Sequence, residues 1–290
     1  MKLIGRSFKE LSQKDPLRLA GATAFFTTFA LPAILLIMMQ LLSLIFTRQE
    51  SNNQLYDKLD SYVGTSAASH LLNVLKAFEN VTDNQAAIIL GFAFLLFVAT
   101  TLFKVIKNSI NEIWNIKVKR KLTIRLILMN RFRELTIILL AGILFLFSLF
   151  LETMQSMASE EFIQSSKVAR IIFNQWIGVL FSILIVTIWF GIIFSFLPDG
   201  RIPIRICFTG AFMTSILFNT GKVLIKWLLI SGDLNIIFGK SSAVVLLLLF
   251  VFYSSLMFYF GAMYTKLLAE SRSMPVKPLA HAESYNSPGN

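Results

Sequence analysis

Residues 19–47 read LAGATAFFTTFALPAILLIMMQLLSLIFT, twenty-nine positions without one charged side chain. The hydrocarbon core of a bilayer is about 30 Å thick, and about 20 apolar residues of helix cross it. The stretch therefore predicts a membrane-crossing helix. It is too long for a signal peptide, whose apolar core runs about 7–15 residues, and no convincing small-residue cleavage site follows it. Five further uncharged stretches repeat the pattern: Asn84–Phe103, Leu135–Leu151, Ile171–Pro198, Ile206–Gly221 and Ser241–Thr265. Two of them are short. The Leu135 stretch can start earlier, because Leu126–Met129 is apolar and Arg131 and Arg133 can reach back to the interface. The Ile206 stretch reaches spanning length only if Lys222 lies within it, with Lys226 nearer its end.

Composition points the same way. Of 290 residues, 56% are hydrophobic and 15% charged, with mean hydropathy +0.69. An ordinary soluble domain carries roughly 45–50% apolar and about 25% charged residues. A soluble fold of this composition would lack the polar surface to cover its core. Cys207 is the single cysteine, which excludes an intramolecular disulfide and a Cys-rich metal site. The expected fold is an all-α, polytopic transmembrane bundle of six spans, at about 20–46, 84–106, 131–152, 171–197, 204–230 and 241–267. A basic arm, 1–19, precedes it. A tail, 269–290, follows; its Ser, Pro, Glu and Asn offer no apolar period, and it is expected to be disordered.

The formal charge of +11 resolves by side. The arm, the segments 104–134 and 199–205, and the tail hold nineteen of the 27 basic residues and seven of the 16 acids, a balance of +12. The opposite loops, 47–83, 152–170 and 232–240, hold six basic residues and nine acids, a balance of −3. Basic residues accumulate on the cytoplasmic side of membrane proteins, so both termini are expected there. Within the first outer loop, Leu71, Val74, Leu75 and Phe78 fall on one helical face, which predicts a short amphipathic helix on the membrane or packed on the bundle. In the segment 104–134, Ile106, Ile110, Ile113 and Trp114 share a face, and Asn115 marks its end.

Four stretches together carry a family resemblance: Ala20–Phe46 with Leu31-Pro32 inside it; Asn108–Arg120, NSINEIWNIKVKR; Leu197-Pro198 with Arg201, Arg205 and Gly210-Ala211; and Phe238-Gly239 followed by Ala243–Tyr253 and Gly261-Ala262. They resemble, in order and spacing, the YihY/BrkB family of bacterial inner-membrane proteins. That resemblance implies six helices and an inner-membrane location. Members have been linked to serum resistance and envelope phenotypes, and a "ribonuclease BN" label has travelled with the family. The chain departs from the family's pattern at Phe25-Phe26, where Tyr is common, and at Phe250 and Phe252, where Trp and Tyr are commoner. Met263 stands where the family usually has Glu, so any proton coupling that used that carboxylate is absent here.

The residues argue against a nuclease. Metal-assisted phosphodiester hydrolysis needs clustered carboxylates or histidines. The two histidines, His70 and His281, fall on opposite predicted faces, and no phosphate loop, nucleophile elbow or HExxH pattern is present. No catalytic residue, metal or cofactor is expected, and no nucleic-acid partner, since the positive-inside rule already accounts for the basic run 117–121.

Lys222 and Lys226 stand four apart on one helix face, with Asn219 and Thr220 before them and Trp227 after. A lysine toward mid-membrane is costly and usually faces a bundle interior or aqueous cavity. One reading is an anion or headgroup site of Lys222, Lys226 and Asn219. The other is snorkelling, with Lys226 reaching the interface that Trp227 marks. Asn111 and Trp114 likewise carry two readings: an amphipathic linker with Trp at the interface, or a docking or gating helix. The small-residue pairs Gly210/Thr214 and Gly261/Thr265 predict close helix contact. Function is expected to be that of a transporter or lipid-flippase-like protein for an amphiphilic or anionic solute, with membrane lipids as partners. The alternative is a non-transporting envelope scaffold that binds partners through the 47–83 loop or the 104–134 helix.

Overall fold

The computed structural model describes residues 2–42, 47–63, 85–119, 167–231 and 242–285, with shorter helical runs within 65–73 and 132–151. It is predominantly helical: α1 (Lys2–Ser12), α2 (Pro16–Leu42), α3 (Arg48–Val63), α4 (Gln85–Ile113), α5 (Lys167–Phe196), α6 (Ile204–Ser231) and α7 (Ser242–Ser271). Four short strands accompany them: β1 (Ile116–Val118), β2 (Gly200–Arg201), β3 (Lys277–Pro278) and β4 (Ala282–Ser284). The helix bounds follow the uncharged stretches but overrun them into charged turns. The described residues between 132 and 151 are also helical.

Two described segments, Ile177–Phe196 and Val244–Ser271, are long and apolar enough to cross a bilayer, with mean hydropathies of 2.7 and 2.2. Only 28% and 33% of these windows are buried, whereas a soluble protein's core helix would be mostly covered. Large apolar side chains stand uncovered within these segments, among them Leu180, Leu184 and Leu249, and on the neighbouring helices, among them Phe25, Phe29, Phe97 and Phe212. Such a surface needs an apolar solvent.

Helix α6 packs between α5 and α7, α7 also packs on α2 and α1, and α2 packs on α4. Small residues permit the closest of these approaches. Gly210 lies against Thr265 and Gly261 against Thr214, so each small residue of the two predicted pairs meets the other helix, and a Cβ at either glycine would run into threonine side-chain atoms. Above them an aromatic cluster fills the α5–α6–α7 junction, with Phe258 5.4 Å from Phe190 and 5.1 Å from Phe194 between ring centroids.

Two expectations change, and the basic arm gains a structure. Helix α4 continues without a break to Ile113, so Ile106–Trp114 forms its last turns rather than a separate linker, and Asn115, at φ 56°, ends it. Asparagine tolerates this left-handed geometry better than most residues. The basic arm contains a helix, α1, whose Leu3, Ser7 and Leu11 face α7 while Ile4 and Phe8 are exposed.

The tail is the second correction. Helix α7 runs to Ser271, and Ser273, at φ 58°, then reverses the chain: Ser273 N–H donates to Glu270 O at 3.0 Å and Met274 N–H to Ala269 O at 2.9 Å. These two bonds make a Schellman closure, with serine where glycine is usual. Beyond it β3 pairs with β2 and β4 with β1, both antiparallel. The tail lacks apolar periodicity, and backbone hydrogen bonds rather than a buried stripe fix it; Tyr285 is the last described residue. In the first loop, Leu71 is buried with Leu35, Met39, Leu55 and Leu247, while Val74, Leu75 and Phe78 lie outside the described residues.

Candidate functional site: a buried clasp and a cationic cleft

Lys107 and Asn111 stand one turn apart on α4 and so share a face. They meet the turn that follows α5, where Leu197, Pro198 and Asp199 are buried. The Asp199 side chain is 0% exposed. Its Oδ1 accepts from Lys107 Nζ at 2.9 Å and from His281 Nε2 at 3.0 Å; its Oδ2 accepts from Asn111 Nδ2 at 2.9 Å. The backbone joins in. Asp199 N–H donates to Asn111 Oδ1 at 2.9 Å, and Asp199 O accepts from Leu279 N–H at 2.9 Å. One aspartate thereby ties together the end of α4, the end of α5 and the returning tail.

The electrostatics favour the ionised carboxylate. Burial alone would push the Asp199 carboxyl up, but the Lys107 hydrogen bond and charge, with the His281 and Asn111 bonds, outweigh it and hold the group below the usual carboxylate range. A charge this deep survives only when its lone pairs are met, and both oxygens of Asp199 have partners.

Trp114 extends the clasp to α7: its indole Nε1–H donates to Ala262 O at 2.9 Å. Asn111 and Trp114 are 4% and 2% exposed, so both side chains are spent within the protein. The sequence reading singled out these two but passed over Lys107, Asp199 and His281. The usable signal was Asp199 itself, the only acid between Glu161 and Asp233, between a proline and a glycine.

The second site lies along α6, about 27 Å from its start at 1.5 Å per residue. Lys222 and Asn219 line a cleft of about 440 Å³ between α5 and α6, with Ser182, Ile183, Ile216 and Val223 among its walls. Ser182 Oγ donates to Asn219 Oδ1 at 2.8 Å, and Asn219 Nδ2 donates to Ser215 O at 2.9 Å. One turn further on, the Thr187 and Ser215 hydroxyls share a 2.8 Å hydrogen bond. These bonds form a polar ladder between two apolar helices and leave Lys222 half-buried beside it. The Lys226 side chain lies outside the described residues. Met263, at the position where the resemblance expects glutamate, is buried in the core. Among the described residues, no three His, Cys, Asp or Glu side chains lie close enough to hold a metal ion.

Comparisons with known proteins follow this geometry. The chain is similar over 277 residues to a UPF0761 membrane protein of Saccharophagus degradans, at 24% identity, covering 93% of this chain and 60% of the relative. Similar matches are a UPF0761 membrane protein of Pseudomonas aeruginosa (24%, 87% of this chain and 59% of the relative) and one of Alcanivorax borkumensis (25%, 87% and 56%). The chain thus spans about 60% of the length of these curated relatives. No solved structure matches it. The family described as Virulence factor BrkB matches residues 7–286, which takes in the clasp, the cleft and the returning tail. With lipid-seeking helices and that match over nearly its whole length, the chain belongs to the BrkB family of bacterial membrane proteins.

Proposed function

We propose that this protein is a six-span inner-membrane transporter or lipid-flippase-like protein for an amphiphilic or anionic solute, not an enzyme, with both termini in the cytoplasm. The observation that carries the reading is the α5–α6 cleft, where Lys222 and the Asn219–Ser182 ladder place a cation and hydrogen-bonding groups among apolar walls. A polar ladder that served packing alone would not need a lysine beside it. Exposed Val179 and Val223 line the same cleft, so acyl chains have apolar surface beside a polar floor. Asn111 and Trp114 belong to the gate: with Asp199 they close the opposite end of the same helices. The basic excess at that end supports a cytoplasmic orientation for it.

The test is reconstitution in liposomes that carry a fluorescent anionic phospholipid, with leaflet exchange followed by chemical quenching. Lys222→Ala should slow exchange at least tenfold, and Lys222→Arg should retain most of it. Equal rates for wild type and Lys222→Ala would remove the site. No exchange above protein-free liposomes by any variant would favour the scaffold reading.

A further inference from the structure

The returning tail makes contacts that neither the core nor the cleft requires. Residues 277–285, which follow α7, pair beside the ends of α4 and α5. β3 pairs with β2 in the register Pro278 to Gly200 and Lys277 to Arg201, beside the end of α5. β4 pairs with β1 as Ala282 to Val118, Glu283 to Lys117 and Ser284 to Ile116, beside the end of α4. Lys119 N–H donates to His281 O and Tyr285 N–H to Asn115 O, both at 3.0 Å, extending the second ladder. His281 then reaches inward to Asp199, the group that joins α4 to the α5 turn.

The way this segment is held differs from the way the helices are held. Ala282 is the only residue of 277–285 in the buried core cluster, and Lys277, Pro278, Ala280, Glu283 and Ser284 are exposed. Hydrogen bonds at an exposed edge exchange readily with water, so a segment held chiefly by them opens locally at low cost. Beneath it the helix ends carry buried apolar side chains, including Ile113, Trp114, Leu197 and Ile206. A weakly buried strap therefore lies across strongly packed helices, and it engages the carboxylate that joins them.

We propose that residues 277–285 are a releasable latch: docked on β1, β2 and Asp199 they hold the ends of α4, α5 and α7 together, and their release opens that end of the bundle. Docked, the strap makes bonds to all three places at once. Released, it takes His281 from Asp199 and the Leu279 N–H from the Asp199 carbonyl, leaving the turn held by α4 alone. Gly200 sets the fit. A Cβ there would run into Ile116 Cδ1 and into Val276 Cγ1, just before the strap, so the strap's pairing with Gly200 leaves no room for a side chain.

The chain contains its own reporter. Cys207, the single thiol, is 0% exposed in the first turns of α6, its Sγ beside Ile202 O, immediately after the segment that pairs with the strap. Alkylation of Cys207 by a maleimide, followed by peptide-level mass mapping of the Cys207 adduct in detergent or nanodiscs, reads opening without any transport assay. His281→Ala should speed alkylation about tenfold or more over wild type. A second variant fixes the strap. Val118 and Ala282 face each other at a non-hydrogen-bonded position, where antiparallel Cα atoms stand about 4.5 Å apart, within disulfide reach. Oxidised Val118→Cys/Ala282→Cys should protect Cys207 below the wild-type rate, and reductant should restore that rate. Protection should also return when the crosslink is placed in the His281→Ala background. If His281→Ala leaves the rate unchanged, or the crosslinked protein reacts as fast as the reduced one, the strap is no latch. Because the readout is thiol protection, the latch and the Lys222 site stand or fall separately.

Discussion

At Asp199 the cost of burying a charge decides what the surrounding residues can be. Lys107 is 7% exposed, so it depends on Asp199 as Asp199 depends on it. Removing one member of such a pair leaves the other charge buried without its counter-ion, at a cost of about 3–5 kcal/mol. Asp199→Asn should therefore lower the unfolding free energy by about that amount, measured by denaturant titration in detergent. Lys107→Met combined with Asp199→Leu should cost less than Asp199→Asn alone, because an apolar pair strands no charge. The same pair sets a pH dependence. The folded-state pKa of Asp199 is depressed, so its contribution is complete above the unfolded carboxyl value of about 3.9 and is lost as pH falls through the lower folded value. The charged or titratable partners facing the carboxylate are Lys107 from α4 and His281 from the tail, with Arg201 on the adjoining β2. The clasp should hold from neutral pH down to about pH 4 and weaken below it, and Lys107→Met should move that loss to higher pH because burial is then opposed by the His281 and Asn111 hydrogen bonds without the lysine charge.

Among the elements, the α6–α7 contact shows how spacing becomes packing. Gly210 and Thr214 on one helix meet Thr265 and Gly261 on the other, each glycine against the opposing threonine. Thr214 Oγ1 donates to Gly210 O and Thr265 Oγ1 to Gly261 O, both at 2.7 Å, so the hydroxyls are satisfied within their own helices and the side chains pack through their bulk. Gly261→Val should cost about 1–3 kcal/mol by overpacking, and adding Thr214→Ala should recover part of it. Thermal unfolding of the two variants measures the coupling. This contact was readable in advance, because four-residue spacing of small residues on uncharged helices leaves few other uses. The tail was not readable. Its strands are two and three residues long, and its anchor is an aspartate 82 residues earlier in the chain.

Across the whole molecule, charge and apolar surface divide the protein along one axis. The clasp, α1 and the returning tail gather at one end, joined by the Lys14 Nζ to Asn115 Oδ1 hydrogen bond of 2.7 Å and the Arg18–Glu112 ion pair. That end carries the basic excess. A reporter fused at residue 120 should be active only on the cytoplasmic side, and activity outside would reverse the orientation of the proposed gate. The sequence by itself determined the solvent, the helices and the family. Each follows from runs of uncharged residues and local spacing, which act over one or two helical turns and need no partner. Only the tertiary structure decided that Asp199 is the hub, that His281 reaches it and that the tail is bound. Those facts rest on hydrogen bonds between residues 80 or more positions apart, and a single polar side chain carries no local sign of the partner that will bury it.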